Sequence, residues 1–248
     1  MYIRAAFAVA AYAASAFAAQ AATKLIDFTD RNVWSGQYTG ATSQATYGNL
    51  TVTLSTRAKE RANFNQDFDG NKQGDDQSYC QAFSGPLACI SDGLGIGDDE
   101  VTAIDLTVTP PIQSATLTFN RKVRIVGLHF LDLFTDKPQE SGDVTREQAN
   151  VYVDGAYVPG DTSTFTTFQA MNSFQENGGY AFYATNILAH QTATFFASAF
   201  PNNDGVGRPD FALAGVAVSP IPLPASALLF MGALAGLGLL RRKGGAQI

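Results

Sequence analysis

Short runs in which apolar or β-branched residues alternate with polar ones, each closed by a turn signal, fill the interior of this 248-residue chain. An alternating run can bury one face only as a strand, so this pattern constrains the fold more than any other feature. Leu25–Phe28, Leu50–Ser55, Ala103–Val108 and Ser114–Phe119 fit it. Val123–Phe134 is longer and more apolar throughout than these, which predicts a central strand buried on both faces. Ala149–Val153 runs into Asp154-Gly155, a hairpin signal, and the chain resumes at Ala156–Val158. Ser163–Phe168, Tyr180–Ala184, Thr192–Ala197 and Phe211–Val218 follow. Sustained helical periodicity is absent, and Thr56–Ala62 is charged all round. The pattern predicts an all-β, antiparallel two-sheet sandwich, jelly-roll-like, with no internal repeat. Arg57 to Gly97 stands apart as a polar, Gly- and Asp-rich stretch without strand alternation, predicted to be a tied-down loop.

The two ends are read separately, because targeting segments do not belong to a folded core. Arg4 precedes an apolar, alanine-rich run from Ala5 to Ala19, and no acid occurs before Asp27. Ala19-Gln20-Ala21 offers small side chains at the two positions a signal peptidase pocket admits, so cleavage is expected after Ala21, with Ala18 as second choice. Ala225 to Leu240 carries no charge and is followed directly by Arg241, Arg242 and Lys243. A helix of that length reaches about 24 Å, short of a bilayer core. Ile221–Pro224 and snorkelling basic stems extend it, and the basic cluster stays cytoplasmic. The predicted organisation is a signal peptide at 1–21, a β-sandwich domain at 22–219, and at 220–248 a tail with a single transmembrane helix.

The full chain has 16 basic and 22 acidic residues. Removing Arg4, Arg241, Arg242 and Lys243 leaves the body with 12 basic against 22 acidic, a net −10. Such a surface excludes nucleic acid as a partner and suits divalent cations. Asn65, Asp67, Asp69 and Asp76 fall at positions 1, 3, 5 and 12 of a calcium-loop spacing, with Gly70 at the sharp turn. Asn65 and Asp76 replace the preferred Asp and Glu, Lys72 brings a positive charge, and no helices flank the segment, so a solvated acidic loop is the other reading. Asp98-Asp99-Glu100 and Asn202-Asn203-Asp204 precede strands, the latter leading to Asp210. A structural calcium at the junction of first and last strands would draw on Asp210, with Asp27 as partner. Cys80 and Cys89 are the two cysteines, and in an exported body they are expected to pair as a disulfide.

Catalysis finds little support: no nucleophile elbow, zinc-binding His pair or P-loop is present, and no catalytic residue is assigned. His129 lies in an apolar strand and His190 in a loop, both read as structural. Trp34, Tyr38 and Tyr47 lie among polar residues and are read as core packing, or else as platforms for sugar rings.

Ile221-Pro222-Leu223-Pro224-Ala225, the apolar span and Arg241-Arg242-Lys243 together resemble the PEP-CTERM class of sorting signals, closest to its VPLPA variant with Ile221 in place of valine. The resemblance covers about the last thirty residues. It implies recognition by an exosortase in the inner membrane, cleavage near the motif, transfer to the cell surface or beyond, and a setting among extracellular polysaccharides. The order of Gly93-Leu94-Gly95, the acidic trio and the final Asp-Phe strand also looks like the β-sandwich bodies of that class. The expected function is therefore a non-enzymatic surface or matrix protein that binds carbohydrate or a structural calcium. A polysaccharide lyase or glycosidase on the same scaffold, or a purely structural matrix subunit, are the alternatives. Intact-mass analysis of the surface form should show loss of everything after about Ala225; a mature chain retaining Arg241–Lys243 would refute the sorting reading.

Overall fold

Leu50–Thr56 shows how alternation becomes a strand: Leu50, Val52 and Leu54 are wholly buried while the residues between them are half-exposed. The structure is a computed structural model that describes residues 22–34, 37–38, 42–56, 62–64, 77–83, 85–97, 100–101, 113–135, 137–138, 144–154, 165–171, 177–199 and 210–221. The strands in chain order are β1 (Lys24–Asp27), β2 (Gln37–Tyr38), β3 (Thr42–Tyr47), β4 (Leu50–Thr56), β5 (Ala62–Asn63), β6 (Gly95–Ile96), β7 (Ser114–Phe119) and β8 (Val123–Leu131). They continue as β9 (Lys137–Pro138), β10 (Val144–Thr145), β11 (Glu147–Val153), β12 (Phe165–Gln169), β13 (Ala181–Ala189), β14 (Thr192–Ala199) and β15 (Ala212–Pro220). One helix, α1 (Gln77–Phe83), and a 3-10 turn, Asn177–Gly179, complete the described elements.

Two large antiparallel sheets dominate. One has four strands in the order β1-β15-β8-β13, the other six in the order β12-β11-β14-β7-β4-β3. Both contribute to a single apolar core, as in a β-sandwich. Ile125, Leu128, Phe130, Leu213 and Val216 enter it from the first sheet, and Leu54, Leu117, Val151 and Phe195 from the second. Phe28, Trp34 and Phe64 pack together within it with ring centroids 5.1 to 6.1 Å apart. Trp34 is fully buried and donates from Nε1 to the Tyr47 hydroxyl at 3.0 Å, so it is core rather than an exposed sugar platform. The Tyr38 side chain lies outside the described residues.

The expected central strand is interior to its sheet, but its first half buries one face only, with Arg124 exposed, and it ends early. β8 stops at Leu131 because Asp132 adopts φ +52°, a left-handed conformation that breaks the ladder. Asp210-Phe211 also falls just ahead of the last strand, which starts at Ala212. Thr42–Tyr47 forms a strand the sequence pattern did not announce, being polar and built on an edge. The stretch from Arg57 to Gly97 is less irregular than expected, since it contains α1, β5 and β6. Ala103–Val108, Ala156–Val158, and the segments expected to be a signal peptide (1–21) and a sorting tail (beyond Ile221) lie outside the described residues. Among the described residues no helix is long and apolar enough to cross a membrane.

Cys80 and Cys89 form the expected disulfide. They belong to a second apolar cluster with Leu87, Leu131, Ala212 and Ala214, on the face of the four-stranded sheet opposite the core. The loop is docked by polar bonds as well. Ala88 donates its N–H to Asp27 Oδ2 at 2.7 Å, Cys89 donates to Thr29 Oγ1 at 2.8 Å, and Gln77 Nε2 donates to the Cys89 carbonyl. Gly93, at φ +107°, lets the next segment approach the last strand, since a Cβ there would stand 2.7 Å from the Leu213 carbonyl oxygen. Closing a loop of this size, with a sequence separation of 9, stabilises the fold by about 2–3 kcal/mol in the chain-entropy account. Replacing both cysteines by alanine should therefore lower the thermal midpoint by about 5–10 °C. Free-thiol labelling of the denatured, unreduced native protein should find none, and stoichiometric labelling would contradict the pairing.

Candidate functional site

Three carboxylates from distant parts of the chain converge where β8 ends and β15 begins. One oxygen each from Glu100, Asp132 and Asp210 lies within 4.8 Å of the other two, and all three residues are buried. Their exposures are 5%, 3% and 8%, so water reaches none of them freely.

Backbone pairing explains the convergence. Leu131 pairs with Ala212, which sets Asp132 beside the residues leading into β15. Val101 and Phe211 exchange backbone hydrogen bonds at 2.9 and 3.3 Å, which brings Glu100 beside Asp210. The 3-10 turn clamps the third carboxylate: Asp132 N–H donates to the Gly178 carbonyl at 3.2 Å and Leu133 N–H to the Gly179 carbonyl at 3.1 Å. Gly179 sits at φ +60°, and a Cβ there would lie 2.5 Å from Leu133 N, so only glycine allows this approach. Glu147, wholly buried, supports the site from β11. Its carboxylate accepts the N–H groups of Phe134 at 2.8 Å and Asp210 at 3.5 Å, and its own N–H donates to the Phe134 carbonyl. Each of the four acids makes further contacts within the protein.

Asp210 lies just ahead of the last strand rather than on it, and its neighbours are Glu100 from the acidic trio and Asp132. Asp27 is not among them. Its carboxylate accepts the Thr29 N–H at 2.9 Å and hydroxyl at 2.6 Å, and the Ala88 N–H at 2.7 Å. Burial raises its pKa above the usual carboxylate value, opposed by those hydrogen bonds. Asp27 is a docking point for the disulfide loop, not a partner of Asp210. Asn65, Asp67, Asp69 and Asp76 lie outside the described residues, as do Asp98, Asp99 and Asn202–Asp204. Asp132 and Glu147 were not anticipated. The available signal for Asp132 was a lone acid inside the apolar run Phe130-Leu131-Asp132-Leu133-Phe134.

The donor set is all oxygen, which suits calcium, magnesium or manganese and not zinc. Two ligands on opposite sides of a calcium ion at about 2.4 Å are about 4.8 Å apart, so oxygens held within 4.8 Å of one another fit inside one calcium shell. No protein-family model matches the chain, and no curated protein and no solved structure gives a significant match.

Neither histidine belongs to the site. His190 lies exposed in the turn between β13 and β14. His129 is buried on β8 with its ring 4.7 Å from Phe182 and its Nδ1 3.0 Å from the Tyr180 hydroxyl. Burial lowers its pKa to about 4, so it is neutral near pH 7. A folded pKa below the unfolded value of about 6.5 means that His129 leaves stability intact above about pH 6.5 and erodes it as the pH falls toward 4. The loss should approach about 3 kcal/mol at the acid end of that window. Urea unfolding of His129→Phe should lack this acid slope relative to the native protein; superimposable pH profiles would show that His129 is not held neutral.

Proposed function

We propose that this chain is an exported, non-enzymatic β-sandwich protein of the cell surface or extracellular matrix, stabilised by a calcium ion held between Glu100, Asp132 and Asp210. In this reading residues 1–21 are removed on export. An exosortase-type system then recognises Ile221–Ala225, with the transmembrane helix and Arg241–Lys243 holding the tail in the inner membrane until cleavage. The Cys80–Cys89 disulfide supports the exported compartment, because such bonds persist where conditions oxidise. The jelly-roll description gains support from the pairing of β1 with β15, first strand with last, and from a chain that passes between the two sheets at β7, β8, β11, β13, β14 and β15.

The observation that carries the ligand is the buried trio itself. Carboxylates gathered away from water repel one another, and a divalent cation relieves the repulsion while bonding to each. A polysaccharide lyase or glycosidase needs carboxyl groups open to substrate, and these three are buried. Extracellular polysaccharide remains a partner in this proposal through the setting that the sorting tail implies.

An ion that binds only the folded state at about 100 times its Kd adds about 2.7 kcal/mol. Replacing a chelator by millimolar calcium should thus raise the thermal midpoint by about 5–10 °C, and magnesium should do less. Asp132→Asn keeps a residue tolerant of the left-handed backbone while removing a charge, and should abolish the calcium response. Coincident midpoints in calcium and chelator for the native protein would overturn the calcium assignment.

A further inference from the structure

We propose that the end of the body from which the chain passes into its tail docks on an anionic lipid surface. The proposal rests on reading residues 220–248 as a membrane-inserted tail.

Strand register places the basic residues. Lys24 pairs with Val218, Arg124 pairs with both Ser219 and Leu188, and Val123 pairs with both Pro220 and Ala189. Arg121 and Lys122 form the turn that joins β7 to β8, immediately before Val123. Lys24, Arg121, Lys122 and Arg124 therefore occupy the last rows of the four-stranded sheet and the turn beyond them. β15 runs out at Pro220 in the same row, and Ile221 opens the sorting motif. Lys122 and Arg124 are exposed, Lys24 and Arg121 half-buried.

Among the described residues none of the four has a carboxylate partner; Arg124 donates to Asn186 Oδ1. Asp154 keeps one negative charge at this end, its carboxylate accepting the backbone N–H groups of His190, Gln191 and Thr192, against the four basic side chains. Glu100, Asp132 and Asp210 gather at the opposite end of β8 and β15. A chain of net charge −6 thus presents a cationic end where its tail begins. Leu188, 40% exposed, stands in the same row as Arg124 and offers an apolar contact amid the cations.

Anionic headgroups attract basic side chains over about one Debye length, roughly 8 Å at physiological salt. A tail inserted in the same bilayer would tether the body to that surface, so even a weak attraction becomes effectively intramolecular. Docking would hold the body against the bilayer and orient the segment after Pro220 for processing.

The test uses the full chain in nanodiscs of phosphatidylcholine alone or with added phosphatidylglycerol, read by amide hydrogen exchange. The β7–β8 turn and the His190–Gln191 turn should exchange about tenfold more slowly in the anionic discs. Raised salt, or the double change Arg121→Glu and Lys122→Glu with an unchanged thermal midpoint, should remove that protection. Coelution with neutral discs reads the tail separately. Coelution with equal exchange in both lipids overturns docking and leaves the tail reading standing. Coelution and protection with anionic discs alone overturns the tail reading and leaves docking standing. Failure to coelute with either overturns both, and protection by a soluble acidic polysaccharide but not by lipid assigns the cationic end to a glycan instead.

Discussion

The antiparallel pairing of β8 with β15 holds the rest of the molecule in place. These are the two interior strands of the four-stranded sheet, flanked by β1 and β13. Their inward side chains, Ile125, Leu128 and Phe130 with Leu213, Val216 and Val218, form one wall of the core. The register that aligns those apolar residues also fixes what stands at either end. Leu131 opposite Ala212 leads to Asp132 and Asp210, and Val123 opposite Pro220 leads to the turn that carries Arg121 and Lys122. A slip of one residue would turn every inward side chain outward and scatter both charged groups, so packing energy enforces the placement of charge.

The sheet face opposite the core needs its own cover, and the disulfide loop supplies it. Leu87, Cys80 and Cys89 pack over Ala212 and Ala214, small residues on the face opposite Leu213. Asp27 and Thr29 fasten the loop to β1 through the backbone of Ala88 and Cys89. The register of β15 shifts between Leu213 and Gly215, which leaves Ala214 as an extra residue beneath the loop. The polar, glycine-rich sequence of this region is consistent with its role as a lid whose order comes from a covalent bond and a few buried hydrogen bonds, because it has no apolar period of its own.

The strands that bury one face were legible because alternation is a local signal: Ser114–Phe119 is observed with the expected bounds, and Leu50–Ser55 and Thr192–Ala197 differ only at their ends. β3 was not legible, since on this edge strand Gln44 and Thr46 face water while the buried positions are only Ser43 and Ala45, too small and too little apolar to give contrast. The end of β8 was misplaced because Leu133 and Phe134 are as apolar as the strand itself, and the break comes from backbone geometry at Asp132 that composition does not encode. Asp210 and the acidic trio were visible as acids beside strands. Which of them would meet depended on long-range pairing between residues 101 and 211 and between 131 and 212, and that register could not be read from local pattern. Asp27 was misassigned for the same reason: its partners, Thr29 and Ala88, lie partly in a loop whose path only the disulfide and the sheet define.

Equilibrium dialysis against labelled calcium tests the central claim most directly, because it counts ions without reference to stability. The native chain should retain one ion more per molecule than Glu100→Gln, whose side chain keeps its volume but loses a charged ligand from the buried trio. Equal retention by the two proteins would contradict the assignment of the three carboxylates as a calcium site.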